Sequence, residues 1–251
     1  MAYMQKGVTY NRRYVMESGL SVTANIWMTA IVFYTVLFPV GGVNHACGET
    51  GVTVDLPQPR YESSVSVEQA LRERRSVRTY RDDALSLNDV SQILWAAQGI
   101  THERGLRTAP SGGALYPLEL YLFVGNVDGL DRGIYNYRPQ GHQLVRVQDG
   151  DRRSDLCDAT LNQTYVKDAP AAFVFTAIYE RITKKYGDRG IRYAHMEAGH
   201  AAQNVYLQAG ALNLNTVVVG AFQDDEVKKV LELDSNENPL YIMPLGKKPD
   251  R

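Results

Sequence analysis

The chain has 251 residues and a formal net charge of −1, room for one sizeable domain with or without an appendage. Its 44% hydrophobic content is that of an ordinary globular protein, and with neither a basic excess nor an acidic run it carries no electrostatic footprint for nucleic acid. Two cysteines, Cys47 and Cys157, without a CxxC pair exclude a disulfide scaffold and a four-cysteine zinc site.

Residues 1–47 read differently from the rest. No charged residue occurs over 20–40, and this run is about the length needed to cross a bilayer core. Lys6, Arg12 and Arg13 precede it. The positive-inside rule then puts the N-terminus in the cytoplasm and the main domain outside, exported or membrane-anchored. Three readings stay open: a cleaved signal peptide, an uncleaved anchor, or a buried helix that joins the fold and leaves the chain cytoplasmic. Val40-Gly41-Gly42 offers small residues for cleavage. Ala46-Cys47 resembles a lipoprotein site, with Asn44 and His45 poor upstream residues. Arg12-Arg13-Tyr14-Val15-Met16 resembles a twin-arginine export signal.

Residues 48–66, with Pro57 and Pro59 and little periodicity, read as an extended linker into a domain over 67–251. A helix is predicted over 67–74. Ser86-Leu87-Asn88-Asp89 opens a second helix with a capping-box pattern. Leu87, Val90, Ile93, Leu94 and Ala97 continue it at helical spacing until Gly99. Residues 118–124 read as a strand, followed by short strands at 133–137 and 143–147 around a turn at 138–141. Residues 151–161 read as a helix. A buried strand at 171–178 follows Pro170.

The longest helix is predicted over 192–212. Ala194, Ala198, Ala201, Val205 and Ala209 give it a face of small residues, suited to a dense core or to a dimer seam. A strand at 216–219, a helix at 224–231 and a last strand at 240–244 complete an α+β pattern.

Two segments carry candidate chemistry. Arg74-Arg75-Ser76-Val77-Arg78 places three arginines and a hydroxyl in five residues. Guanidinium groups are bidentate partners for phosphate. Pro110-Ser111-Gly112-Gly113 forms a loop whose glycines let backbone lie close to a planar ring. Together they point to a phosphorylated, planar cofactor; taken singly, each also reads as an ordinary turn. A lysine beside a tyrosine, Lys185-Tyr186, could poise the phenol for proton transfer, and equally reads as a charged loop with an aromatic anchor.

His195 and His200 lack the i, i+4 spacing of a helical metal pair. His195-Met196-Glu197 has the H-x-E of zinc deaminases without the P-C-x-x-C, so no metal site is expected. There is no P-loop, dinucleotide fingerprint or nucleophile elbow.

In order, RRSVRTY at 74–80, ILWAAQG at 93–99, RTAPSGGALYP at 107–117, GIYNY at 133–137, KYGDR at 185–189 and RYAHMEAGH at 192–200 closely resemble the FMN-dependent nitroreductase superfamily, in its SagB-type thiazole/oxazole dehydrogenase branch. The resemblance covers roughly 67–248. It implies a mostly antiparallel central sheet flanked by helices, built as an intertwined homodimer with FMN at the subunit interface. It places Arg74, Ser76 and Arg78 on the FMN phosphate, ribityl and pyrimidine side, with Lys247 near the phosphate. It places Pro110, Ser111, Gly112 and Gly113 along the isoalloxazine ring, often that of the partner subunit. It sets Val219, Gly220 and Ala221 as a backbone segment facing flavin N5 and O4, and Lys185 and Tyr186 as the acid/base pair. The implied activity is hydride transfer between flavin N5 and a small-molecule or peptide-derived substrate. The alternatives are an NAD(P)H-dependent nitro- or quinone-reductase, or a flavin-binding redox module with little turnover.

Overall fold

A computed structural model describes residues 51–249 of the chain. The signal-peptide or anchor reading of 1–47 lies outside the described residues. Among those described, no helix is long and apolar enough to cross a membrane.

The central strand shows why the layers form. In β5 (Ala171–Ile178) every residue but the last is buried. Side chains alternate across a strand, so Phe173 and Phe175 join one core cluster while Ala172 and Val174 join another. A strand buried on both faces reads as a continuous apolar run, which is the pattern seen after Pro170.

β5 lies between β2 (Leu118–Val124) and β7 (Glu237–Lys247). Beyond β2 come β3 (Gly133–Arg138), β4 (Gln143–Asp149) and the edge strand β1 (Thr53–Asp55). Beyond β7 lies β6 (Leu214–Thr216). Every pairing is antiparallel. The chain is α+β, as expected.

Helices cover both faces. On one side α2 (Leu87–Gln98) and α6 (Arg189–Ala211) pack over Leu120, Tyr137, Phe175 and Met243, with α1 (Val67–Glu73) and α5 (Glu180–Tyr186) at their flanks. On the other, α3 (Arg153–Ala159), α4 (Tyr165–Asp168) and α7 (Asp224–Leu231) contribute Leu156, Val166, Val227 and Leu231 against Phe123 and Ile242. The capping box of α2 forms: the Asp89 N–H donates to Ser86 Oγ at 3.1 Å, and the Ser86 N–H donates to the Asp89 carboxylate at 3.4 Å.

Four expectations change. Residues 53–55, read as linker, pair with β4, and Leu56 enters the core. The domain's described part therefore begins before residue 67. The small-residue face of α6 is buried in its own chain's core, with Ala194, Ala201 and Val205 fully inaccessible, so it is not a dimer seam. The strand at 216–219 ends at Thr216; past it only a single bridge, Val219 to Ile242, continues the pairing. Lys185 and Tyr186 end a helix that propensity had not separated from a loop.

Candidate active site

The arginine segment runs from the end of α1 along the β6–β7 edge. The Val77 N–H donates to the Thr216 carbonyl at 3.0 Å, and the Arg81 N–H to the Lys247 carbonyl at 3.0 Å. Gly246 is required for this docking, because a Cβ there would lie 2.7 Å from the Tyr80 Cβ. Arg74, Ser76, Arg78 and Lys247 are thereby brought to one edge of the sheet. Arg75 turns away: its guanidinium donates to the carbonyls of Arg72 and Arg74, closing the end of α1.

Tyr206 of α6, which sequence reasoning missed, organises this edge. Its hydroxyl is 2.9 Å from Ser76 Oγ and accepts the Val218 N–H at 2.8 Å. The Arg74 guanidinium lies over its ring at 5.1 Å. Arg78 similarly covers Tyr165 at 5.6 Å. Gln163, two residues before Tyr165, donates to the Ala221 carbonyl at 2.9 Å. Two aromatic residues thus link the arginine segment to the segment ending at Ala221. The signal for Tyr206 was present as an aromatic beside the small face of a long helix, but helical spacing alone could not say what it would meet.

Within 219–221 the backbone divides. Val219 is core, and both its N–H and its carbonyl bond Ile242, at 2.8 and 3.0 Å. It offers no donor to a ligand, which corrects its place among the expected binding residues. Gly220 and Ala221 are exposed, and among the described residues their N–H groups have no partner.

A second group lies at the other end of α6. The loop 110–113 meets α5 and the first turns of α6. Gly113 has φ of 66°, and a Cβ there would sit 2.7 Å from Tyr186 Oη and 3.0 Å from Lys185 Nζ. A Cβ on Gly112 would sit 3.5 Å from the side chain of Tyr193. The Tyr186 and Tyr193 rings meet edge-on, 5.2 Å apart at 83°, a favoured aromatic geometry. Lys185 is exposed and Tyr186 half-buried.

Behind the loop, Ala114 and Tyr116 adopt left-handed backbone, at φ of 55° and 46°. Residues with a Cβ hold that conformation only where their surroundings over-determine it. Here the Ser111 hydroxyl accepts the Tyr116 N–H at 2.9 Å. The Tyr116 hydroxyl accepts the Arg107 N–H at 3.1 Å, and the Arg107 guanidinium stacks on the Tyr116 ring at 4.4 Å.

The expected residues therefore spread along one helix: Arg74 and Ser76 meet Tyr206, Gly112 meets Tyr193, and Gly220 shares a pocket with His195 and Ala198 between them. Tyr193 and Tyr206 mark the two ends on one helix, about 20 Å apart at 1.5 Å of rise per residue.

Residues 71–247 match the model of the nitroreductase family. The chain belongs to the nitroreductase family. Within it, a protein of Methanocaldococcus jannaschii named as a nitroreductase is 47% identical over 198 residues, 79% of this chain and 98% of that one. The microcin B17-processing protein McbC of Escherichia coli is 32% identical over 146 residues, 56% of this chain and 54% of that one. Among solved structures, the Escherichia coli microcin synthetase McbBCD complex with truncated pro-MccB17 bound aligns with a TM-score of 0.62 at 25% identity, over 86% of this chain and 85% of that one. The SagB-type resemblance read from the six motifs holds, since processing proteins of that type are among the relatives.

Proposed function

We propose that the chain is an FMN-dependent oxidoreductase of the SagB-type dehydrogenase branch. The observation that carries this reading is the pairing of Gly113 with Lys185 and Tyr186: a Cβ-free loop packed directly against two groups able to move a proton.

The residues fit FMN. Arg74, Arg78 and Lys247 supply fixed positive charge for a phosphate dianion, and the exposed Ser76 supplies a hydroxyl for a ribityl oxygen. The unpartnered N–H groups of Gly220 and Ala221 suit the carbonyl and nitrogen edge of a flavin, where donors stabilise developing negative charge. When bound, the flavin supplies the hydride chemistry at N5.

The chain's own residues do the rest. Arg74 is held by Tyr206 and Arg78 by Tyr165, so both guanidinium groups are oriented before a phosphate arrives. Gly112 and Gly113 let the loop lie close against Tyr193, Tyr186 and Lys185. Tyr186 Oη takes or delivers the substrate's proton, and Lys185 Nζ lies 5.3 Å from the centre of the Tyr186 ring. The likeness to McbC supports a peptide-derived substrate.

The family resemblance supports a shared site, in which loop 110–113, Lys185 and Tyr186 of one protomer complete the phosphate end of its partner in a homodimer.

The test is Tyr186→Phe in the full chain at matched flavin occupancy. The ring and its contact with Tyr193 remain and only the hydroxyl is lost. Turnover falls about 10²–10⁴-fold, the usual contribution of a general acid or base. Unchanged turnover moves the protein to the NAD(P)H-dependent nitro- or quinone-reductase reading, where solvent supplies the proton. No turnover with any donor, with FMN still bound, leaves the redox-module reading.

A further inference from the structure

The face of α6 that enters the core is built of small apolar residues, with one exception. Glu197 lies on it beside Ala198, only 1% exposed, and neither carboxyl oxygen has a hydrogen-bond partner among the described residues. An ionised carboxylate in that setting is costly to bury. Burial pushes its pKa up to about 7, opposed first by the Ser111 hydroxyl and then by the Arg107 guanidinium. The Ser111 hydroxyl is thus close enough to favour the ionised form yet outside hydrogen-bond geometry. Glu197 follows Tyr193 by one helical turn and shares its face, and Tyr193 packs at Gly112. The carboxyl therefore stands behind the loop that carries the candidate site.

We propose that Glu197 is a positioning residue, which holds loop 110–113 against Lys185 and Tyr186 through the hydroxyl of Ser111. This rests on the reading of that loop as the flavin platform. Ionised, Glu197 is an acceptor only and draws in the Ser111 O–H. Ser111 Oγ already accepts the Tyr116 N–H, so the hydroxyl then bridges Tyr116 to Glu197 and fixes the loop. Protonated, Glu197 has no charge with which to draw it, and the loop loosens.

The charged and titratable groups around it are few. Arg107 is the nearest opposing charge, and burial lowers its own pKa; Glu119, Tyr116 and Arg181 share its field. Glu119 and Arg181 form an ion pair with each other at 2.5 Å. From α5 come Lys185 and Tyr186 at Gly113. From α2 comes the neutral Gln98, bonded to Arg107 at 2.7 Å.

The experiment uses the full chain and two readouts. One is FMN-dependent turnover against pH at matched flavin occupancy. The other needs no cofactor: amide hydrogen exchange over residues 108–117, as the ratio of wild type to Glu197→Gln on either side of the transition. In the wild type, turnover rises about tenfold with increasing pH, a modest cost for misplaced groups, through a midpoint near the carboxyl's value of about 7. Glu197→Gln abolishes that limb and stays at the low-pH level, and Ser111→Ala does the same. The exchange ratio departs from one only on the alkaline side.

A limb that survives in Glu197→Gln overturns the proposal, as does an exchange ratio equal at both pH values. If Glu197→Gln does not fold, Ser111→Ala decides by the same limb. If the wild type binds no FMN, the flavin reading fails, and the exchange ratio of wild type to Glu197→Gln alone decides the role of Glu197.

Discussion

Ser76, Arg74 and Val218 come from opposite ends of the sequence and meet at one hydroxyl, that of Tyr206. Arg78 is held separately by Tyr165, so its loss tests charge without dismantling that junction. Arg78→Ala weakens FMN retention by about tenfold or more, the size of one charged hydrogen bond. Equilibrium dialysis of the full chain measures it, and unaltered retention removes Arg78 from the phosphate site. The residues legible in sequence were those with chemistry written in their type: arginines, glycines, a lysine beside a tyrosine. Tyr206 and Glu197 were not. Their roles come from what lies across a helix face, and spacing reports a face without naming its neighbour. Val219 failed for a related reason: its side chain marked a strand, but whether its N–H is free depends on the pairing with Ile242.

Among elements, β2, β5, α2 and α7 follow the sequence pattern closely; β5 is marked by its continuous apolar run after Pro170, and α2 by its capping residues, its helical spacing and Gly99. β1 did not, since three residues give too little alternation to read. The segment leading from it is secured by a polar network. Ser91 Oγ donates to the Pro57 carbonyl at 2.5 Å and is 2.8 Å from His142 Nε2, while the Tyr137 hydroxyl is 2.7 Å from His142 Nδ1. With the Ser91 proton spent on Pro57, Nε2 carries the imidazole proton and Nδ1 accepts from Tyr137. Burial holds the His142 pKa below its ordinary value, so the fold favours the neutral ring. The stability it contributes is complete above the ordinary imidazole range. It is lost as pH falls through that range toward the lowered folded value, because the unfolded chain takes up the proton first. Denaturant titrations show wild type losing stability across this acid window. His142→Gln, which cannot titrate, loses less there; equal slopes refute the assignment.

For the whole molecule, the α+β layering was legible because both faces of the sheet are buried and the helices alternate around it. The alanine face that first motivated a dimer is spent on the core, so the dimer expectation rests on the likeness to the nitroreductase family, where dimers are typical. The full chain loaded with FMN sediments as a dimer, and FMN retention falls on dilution into monomer. A monomer that keeps FMN contradicts the shared site.

α6 spans 23 residues, and one rigid rod carries Tyr206 at one site and Tyr193 at the other. In the proposed two-fold assembly each FMN would be gripped by both rods, one from each chain. The first FMN to bind would align both, so the second would meet a frame already ordered and bind more tightly. Titration of apoprotein with FMN should give a Hill slope above one, steepest where the rods are least ordered beforehand. A slope of one would mean that the two rods settle independently.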